Sequence, residues 1–197
     1  IYYGQSISQQ EASAAQQALR SNFQQAPYQP LLAVDHEGGS VQRLSGIGFS
    51  QLDSWQQLVN TYTSANQRAA WADSASQLAE VGINIVFAPV VDLEEQQAVL
   101  RSRAASDSAL VESAAANFIA VFGQYQIMPV LKHFPGIGSL QSDLHNQSAS
   151  LTLKAEDTAI FSHLLEQYPN IGLMVTHVSL ANKFNGQICS LSSDCLS

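Results

Sequence analysis

Asp143 and His145 stand two residues apart in the stretch 132–145, KHFPGIGSLQSDLH, which Pro135, Gly136 and Gly138 keep from forming regular helix or strand. A turn at that spacing sets the carboxylate against one imidazole nitrogen and leaves the other free, the arrangement of an oriented general acid or base. The same spacing also fits a surface loop in which Asp143 caps a turn and His145 is merely solvated. At the start of the stretch, Lys132 and His133 close an apolar run. Neighbours on a strand point to opposite faces unless the strand ends there, and Pro135 with Gly136 supplies such an end. Lys132 in that place holds a ligand hydroxyl or a carboxylate, or else pairs with a neighbouring acid, because a buried unpaired lysine is expensive. Asp35 closes a second apolar run and is followed by Glu37, Gly38 and Gly39, where glycines permit close backbone approach; a turn or helix cap is its alternative role.

Other chemistries find less support. His133, His145, His177, Asp35 and Asp143 include suitable metal ligands, but no local pattern such as H-E-x-x-H joins them, so a metal-dependent hydrolase is a lesser reading and no metal is expected. No G-x-S-x-G elbow is present, and EGGS lacks the G-x-G-x-x-G spacing of a dinucleotide turn. No cofactor is expected.

The elements that must carry these residues are legible as four continuous apolar runs, at 30–35, 83–92, 127–134 and 171–178. Runs without alternation suit strands buried on both faces of a parallel sheet. Between them, segments 9–25, 54–80, 107–125 and 154–167 place apolar residues at helical spacing, as in Ala115, Phe118, Ile119 and Phe122, with Asp107 or Ser108 as a cap for the third. The alternation predicts βαβ units repeating every 40 to 50 residues or so. Asp35, Asp92, Lys132 with His133, and His177 each fall at or just past the C-terminal end of a run, and polar residues at the rim of several strands are how a (β/α)8 barrel builds an active site. The predicted fold class is therefore α/β, a TIM-type (β/α)8 barrel that is incomplete in this chain, with IYYG at residues 1–4 as the remains of a fifth strand. Residues 1–197 read as a single, partial barrel domain.

Composition narrows the partners. A net charge of −8, with 8 Lys and Arg against 16 Asp and Glu, excludes a basic face for nucleic acid and favours a neutral small ligand. No apolar run approaches the roughly 18 residues of a membrane span, and the first ten residues lack the basic and apolar parts of a signal peptide. Cys189 and Cys195, six apart, read as unpaired thiols, with a local disulfide as the minority reading.

The motifs LLAVDHEGGSVQRL, KHFPGIG followed by SDLH, and VTHV together resemble the N-terminal barrel of glycoside hydrolase family three, in particular its bacterial β-N-acetylglucosaminidases. That group shows D-x-E-G-G-x-V-Q-R, then K-H-F-P-G-H-G, then D-x-H beginning ten residues past the histidine of the KH pair. Asp35, Glu37, Gly38, Gly39, Val41, Gln42 and Arg43 match the first motif, and Lys132 to Gly136, Gly138, Asp143 and His145 match the others at the family's spacing. The resemblance implies a retaining exo-acting enzyme for terminal GlcNAc, as in peptidoglycan fragments, with the Asp143–His145 pair as acid/base. It implies that Asp35, Arg43, Lys132 and His133 hold the sugar, that Arg101 or Arg103 contacts it, and that His177 lies nearby; a core histidine is the alternative for the last. It also implies a small GlcNAc-containing carbohydrate as partner, and a cytoplasmic location, or a periplasmic or secreted one if a leader has been removed.

Two departures qualify this expectation. Ile137 stands where the family has a second histidine, which removes a polar group from the loop and is expected to alter its anchoring or the choice of substrate. The family's nucleophilic carboxylate lies some 35 or more residues past its THV segment, whereas 20 residues follow His177 here, and Asp194 has no apolar strand before it. Retaining hydrolysis needs two carboxyl-type groups, so the nucleophile is expected outside these residues. A non-catalytic glycan-binding or scaffold barrel is the alternative.

Overall fold

The computed structural model describes residues 7–28, 30–95, 99–141, 150–181 and 186–196. Helix α1 (Gln9–Asn22) starts at a capping box, in which the Ser8 hydroxyl accepts from the Glu11 amide and the Glu11 carboxylate accepts from the Ser8 amide at 2.8 Å. There follow β1 (Ala33–Val34), the hairpin strands β2 (His36–Gly38) and β3 (Val41–Gln42), α2 (Trp55–Thr61), α3 (Ser64–Glu80), β4 (Ile85–Val86) and a 3-10 turn (Arg101–Arg103). Beyond it lie α4 (Ser108–Gln124), β5 (Met128–Phe134), β6 (Ser150–Leu151), α5 (Ala155–Gln167), β7 (Gly172–Val175), β8 (Ser179–Leu180), a second 3-10 turn (Cys189–Leu191) and α6 (Ser193–Leu196).

Each of the four apolar runs contributes one strand to a single sheet, in the order β1-β4-β5-β7 with every pair parallel. Spatial order equals chain order, and α2 with α3, then α4, then α5 return the chain between successive strands, which is the repeating unit of a TIM-type barrel. Among the described residues the strands form an open arc. Residues 1–4, read as part of a further strand, lie outside the described residues.

The predicted helix over 54–80 is two helices. Ser54 caps α2 by accepting from the Gln57 amide, and Thr63 caps α3 by accepting from the Asn66 amide. Thr63 takes extended backbone to do so, and a residue with that geometry ends the helix before it. Asp107 starts α4 as expected, its carboxylate accepting from the Leu110 amide at 3.0 Å. Behind the sheet, Trp55 stacks on Trp71 at 5.7 Å, Trp71 meets Phe118 edge-on at 5.4 Å, and Phe118 stacks on Phe122. All four rings are buried, and each contributes about 2 to 3 kcal/mol by leaving water, which fixes α2, α3 and α4 as the rigid back of the site.

The cysteines overturn the expectation of unpaired thiols. The second 3-10 turn and α6 fold the chain back on itself, bringing the Cα atoms of Cys189 and Cys195 to 5.3 Å, and the two form a disulfide. Spacing alone gave no sign of that reversal. No helix among the described residues is long and apolar enough to cross a membrane.

Candidate active site

The site grows from the end of β1. Asp35 follows Val34, and the chain then turns through the β2–β3 hairpin, where Gly38 has φ +92° and a Cβ would lie 2.2 Å from the Asp53 carbonyl oxygen. Only glycine fits that position. The buried Gln42 amide fastens the hairpin to the following loop, donating to the Ser50 carbonyl at 2.8 Å and accepting from the Leu52 amide at 2.9 Å. So held, Glu37 points inward with 1% of its side chain exposed.

Glu37 is the hub of the charges. Arg103 grips it with two bonds, Nε to Oε2 at 2.8 Å and Nη2 to Oε1 at 2.9 Å, and Lys132 Nζ approaches Oε1 at 2.5 Å. Lys132 also donates to Asp35 Oδ1 at 3.0 Å. Burial alone would raise the Glu37 carboxyl, but the Arg103 hydrogen bonds and the Lys132 and Arg103 charges outweigh it and hold it below the usual carboxylate value. Burial would likewise lower Arg103, yet its bonds to Glu37 raise it. Two cations against two carboxylates leave the group close to neutral, which is what makes its burial tolerable.

A second carboxylate positions the histidine. A register shift between Lys132 and Phe134 in the β5–β7 pairing lets consecutive residues Lys132 and His133 both join the cluster, so they do not divide between opposite faces. The Lys132–His133 and Phe134–Pro135 peptides are cis. Asp92 Oδ2 takes the His133 backbone amide at 3.1 Å and its Nδ1 at 2.7 Å, while Oδ1 takes the Ile137 amide at 2.8 Å. Because a carboxylate accepts, Nδ1 carries the proton and Nε2 is left for a ligand. The turn after β5 is further tied down at Gly138, where a Cβ would fall 1.8 Å from the Leu93 carbonyl oxygen. Loop anchoring thus runs through the backbone amide of residue 137, and the exchange of histidine for isoleucine leaves it intact.

At this C-terminal rim a cavity of about 330 Å³ opens, in the size range of small-ligand pockets. Its lining combines polar residues, Arg103, His133, Thr176 and His177, with apolar ones, Val99, Leu100, Ile137, Leu140, Met174 and Val175. A larger cavity of about 450 Å³ lies where β5 and β7 begin, but its described lining holds no carboxylate, imidazole or cation.

The structure therefore brings together Asp35, Lys132, His133 and Arg103 of the expected residues and separates others. Of the two arginines, Arg103 joins the cluster through Glu37, while Arg101 is exposed. Lys132 is enclosed by its acids with 2% of its side chain exposed, whereas Asp35 keeps 22%, so Asp35 is the acid that meets solvent. Arg43 is half-buried, its amide donating to the Asp35 carbonyl at 3.1 Å. His177 is exposed on the cavity, which sets aside the core reading, and its Nδ1 is hydrogen-bonded to Ser190 Oγ. Asp143 and His145 lie outside the described residues. From sequence Asp92 stood out only as a polar residue at a strand end and Glu37 only as part of a motif, and neither was given a role in the site. His36 was also passed over: it is fully buried, bonded through Nε2 to Ser74 Oγ at 2.9 Å with Nδ1 unpartnered, and burial pulls it down to about 4.

Residues 3–197 match the family model described as the glycosyl hydrolase family 3 N terminal domain. The chain belongs to that family. Within family 3 it is similar to the beta-hexosaminidase LpqI of Mycobacterium tuberculosis, 33% identical over 168 residues, or 82% of this chain and 43% of the relative. Among solved structures it resembles a beta-N-acetylhexosaminidase from Beutenbergia cavernae, with a TM-score of 0.86 at 22% identity over 99% of this chain and 62% of that one. It also resembles NagZ from Neisseria gonorrhoeae, solved with N-trifluoroacetyl-D-glucosamine, with a TM-score of 0.81 at 23% identity over 96% and 58%. The chain spans about half the length of the curated family 3 relatives it matches.

Proposed function

We propose that this chain is the single, partial N-terminal barrel domain of a retaining exo-β-N-acetylglucosaminidase acting on terminal GlcNAc in peptidoglycan-type fragments. The observation that carries this reading is the rim cluster beside the cavity: Asp35 and Arg103, fixed through Glu37 and Lys132, together with His133 oriented by Asp92. Charged groups whose positions are already set make strong, directional bonds to sugar hydroxyls without reorganising when the sugar arrives. The names of the relatives, beta-hexosaminidase among them, support the same substrate class.

His145, paired with Asp143, donates its proton to the leaving sugar and later activates water, and the nucleophilic carboxylate comes from chain outside these 197 residues. The disulfide favours an oxidising compartment over the cytoplasm that the resemblance implied.

The test is release of p-nitrophenol from p-nitrophenyl β-N-acetylglucosaminide by the full-length protein, beside a His145→Ala variant and GlcNAc binding by calorimetry. Hydrolysis that falls about 100-fold or more in the variant supports the reading. Binding without hydrolysis transfers the case to a glycan-binding scaffold, and neither binding nor hydrolysis overturns both.

A further inference from the structure

His177 is the titratable polar group at the β7 end of the cavity, and among the described residues its side chain is exposed. An imidazole in that position rotates freely unless a neighbour fixes it, and ordering it on ligand binding then works against affinity. One neighbour does: Ser190 Oγ is hydrogen-bonded to Nδ1, which leaves Nε2 as the ring nitrogen available to a ligand.

Ser190 is itself held from both sides in sequence. Its amide donates to the Thr176 carbonyl at 3.3 Å and that of Cys189 to the Val178 carbonyl at 3.0 Å, so the turn lies along the backbone on either side of His177. Ile188 bridges Ser179 in the antiparallel sense. The disulfide between Cys189 and Cys195, both buried, closes the turn into a ring that contains Ser190. A turn with a buried covalent closure beneath it keeps its hydroxyl in one place far better than an open loop.

We propose that Ser190 is a positioning residue for the sugar pocket, and that the Cys189–Cys195 disulfide is the brace that lets it orient His177. The brace fixes the ring plane so that Nε2 faces a ligand hydroxyl without a further loss of side-chain freedom. His177 is the contact; Ser190 and the cysteine pair act through it. The ligand arm of this proposal rests on reading the cavity as a GlcNAc site, and the ring-orientation arm does not.

Both arms are measured in the full-length protein. Calorimetry gives GlcNAc affinity, and ¹H–¹³C spectra give the His177 ring resonances, for the wild type, Ser190→Ala, Ser190→Thr, and Cys189→Ser with Cys195→Ser. Ser190→Ala should weaken GlcNAc binding roughly three- to tenfold and move the His177 signals toward those of a freely rotating imidazole. Ser190→Thr, which keeps the hydroxyl, should restore both to within about twofold. The paired cysteine variant should reproduce Ser190→Ala; if it does not fold, Ser190→Ala still decides the role of Ser190, because it leaves the disulfide in place. Unchanged His177 signals in Ser190→Ala overturn the proposal, and a folded cysteine variant that behaves as wild type overturns the brace. If the wild type binds no GlcNAc, the ligand arm fails alone, and the His177 signals continue to decide the orientation.

Discussion

β5 and β7 lie side by side in register, Leu131 opposite Leu173 and Lys132 opposite Met174, and both read as apolar strands in the sequence. Yet Leu131 is fully buried and even Lys132 is 1% exposed, whereas all four residues of β7 are only partly buried. The difference is one of neighbours. β5 has β4 on one side and β7 on the other, while β7 is an edge of the sheet among the described residues. The β5 side therefore holds its polar groups by mutual ion pairing around the buried Lys132–Glu37 pair, and the β7 side holds its one histidine by a single hydrogen bond from a closed turn. A pocket with two such walls binds through a wall that is already set and one that an added constraint must set.

The contrast breaks most visibly at Glu37. Glu37→Ala leaves the buried Lys132 with Asp35 alone and the partly exposed Arg103 without its bidentate acid, and should destabilise the fold by about 3 kcal/mol in urea denaturation. If the loss is under about 1 kcal/mol, the wall is not preset by that hub.

Acidity should act on buried groups as well. His36 stays neutral in the folded chain down to about 4, against an ordinary 6.5, because burial disfavours its charge. Between those values the unfolded chain binds a proton that the folded chain refuses, so stability falls as pH drops through the window, by about 3 kcal/mol in all. Glu37, with its carboxyl held low, adds a loss in the same direction as pH falls below its unfolded value near 4.5. Denaturation midpoints at several pH values should show the slope between 4 and 6.5 flatten in His36→Gln.

The difference between two leucines sharpens the strand comparison directly. Leu131→Ala should cost about 2 to 5 kcal/mol, and Leu173→Ala about 1 to 2 kcal/mol, since the first leaves a cavity in the core and the second removes atoms that are only partly buried. Equal losses would mean that β7 is covered as fully as β5 in solution. Smallest of all, Ser190→Ala should change stability by about 0.5 to 1 kcal/mol while its effect on affinity remains, which separates orientation from folding.

The sheet was legible because buried parallel strands write themselves as uninterrupted apolar runs, and each of the four appears where its run does. Asp35, Lys132 and His133 were legible for a related reason, as polar residues that interrupt an apolar run at its C-terminal end. Asp92 has the same signature, but nothing in the spacing links it to residues 41 positions later at His133, and Glu37 needs Arg103 to be 66 positions away. Contacts of that kind depend on how strands stack, which single-chain periodicity does not record. The disulfide was misread because its closure depends on a 3-10 turn followed by a one-turn helix, both too short to leave a periodic pattern. The break at Thr63 was missed because the apolar spacing carries across it.

Asp92 grips residue 137 by its backbone amide, and the side chain at that position faces the cavity. Position 137 is thus a place where natural variation or a designed library can rewrite the pocket wall, since every residue except proline supplies the same N–H. Residue 133 has no such freedom, because its ring and its amide share one acceptor. The scaffold divides its inheritance accordingly: 92 and 133 must change together or not at all, and 137 can vary in side chain as far as its buried place beside the cavity allows.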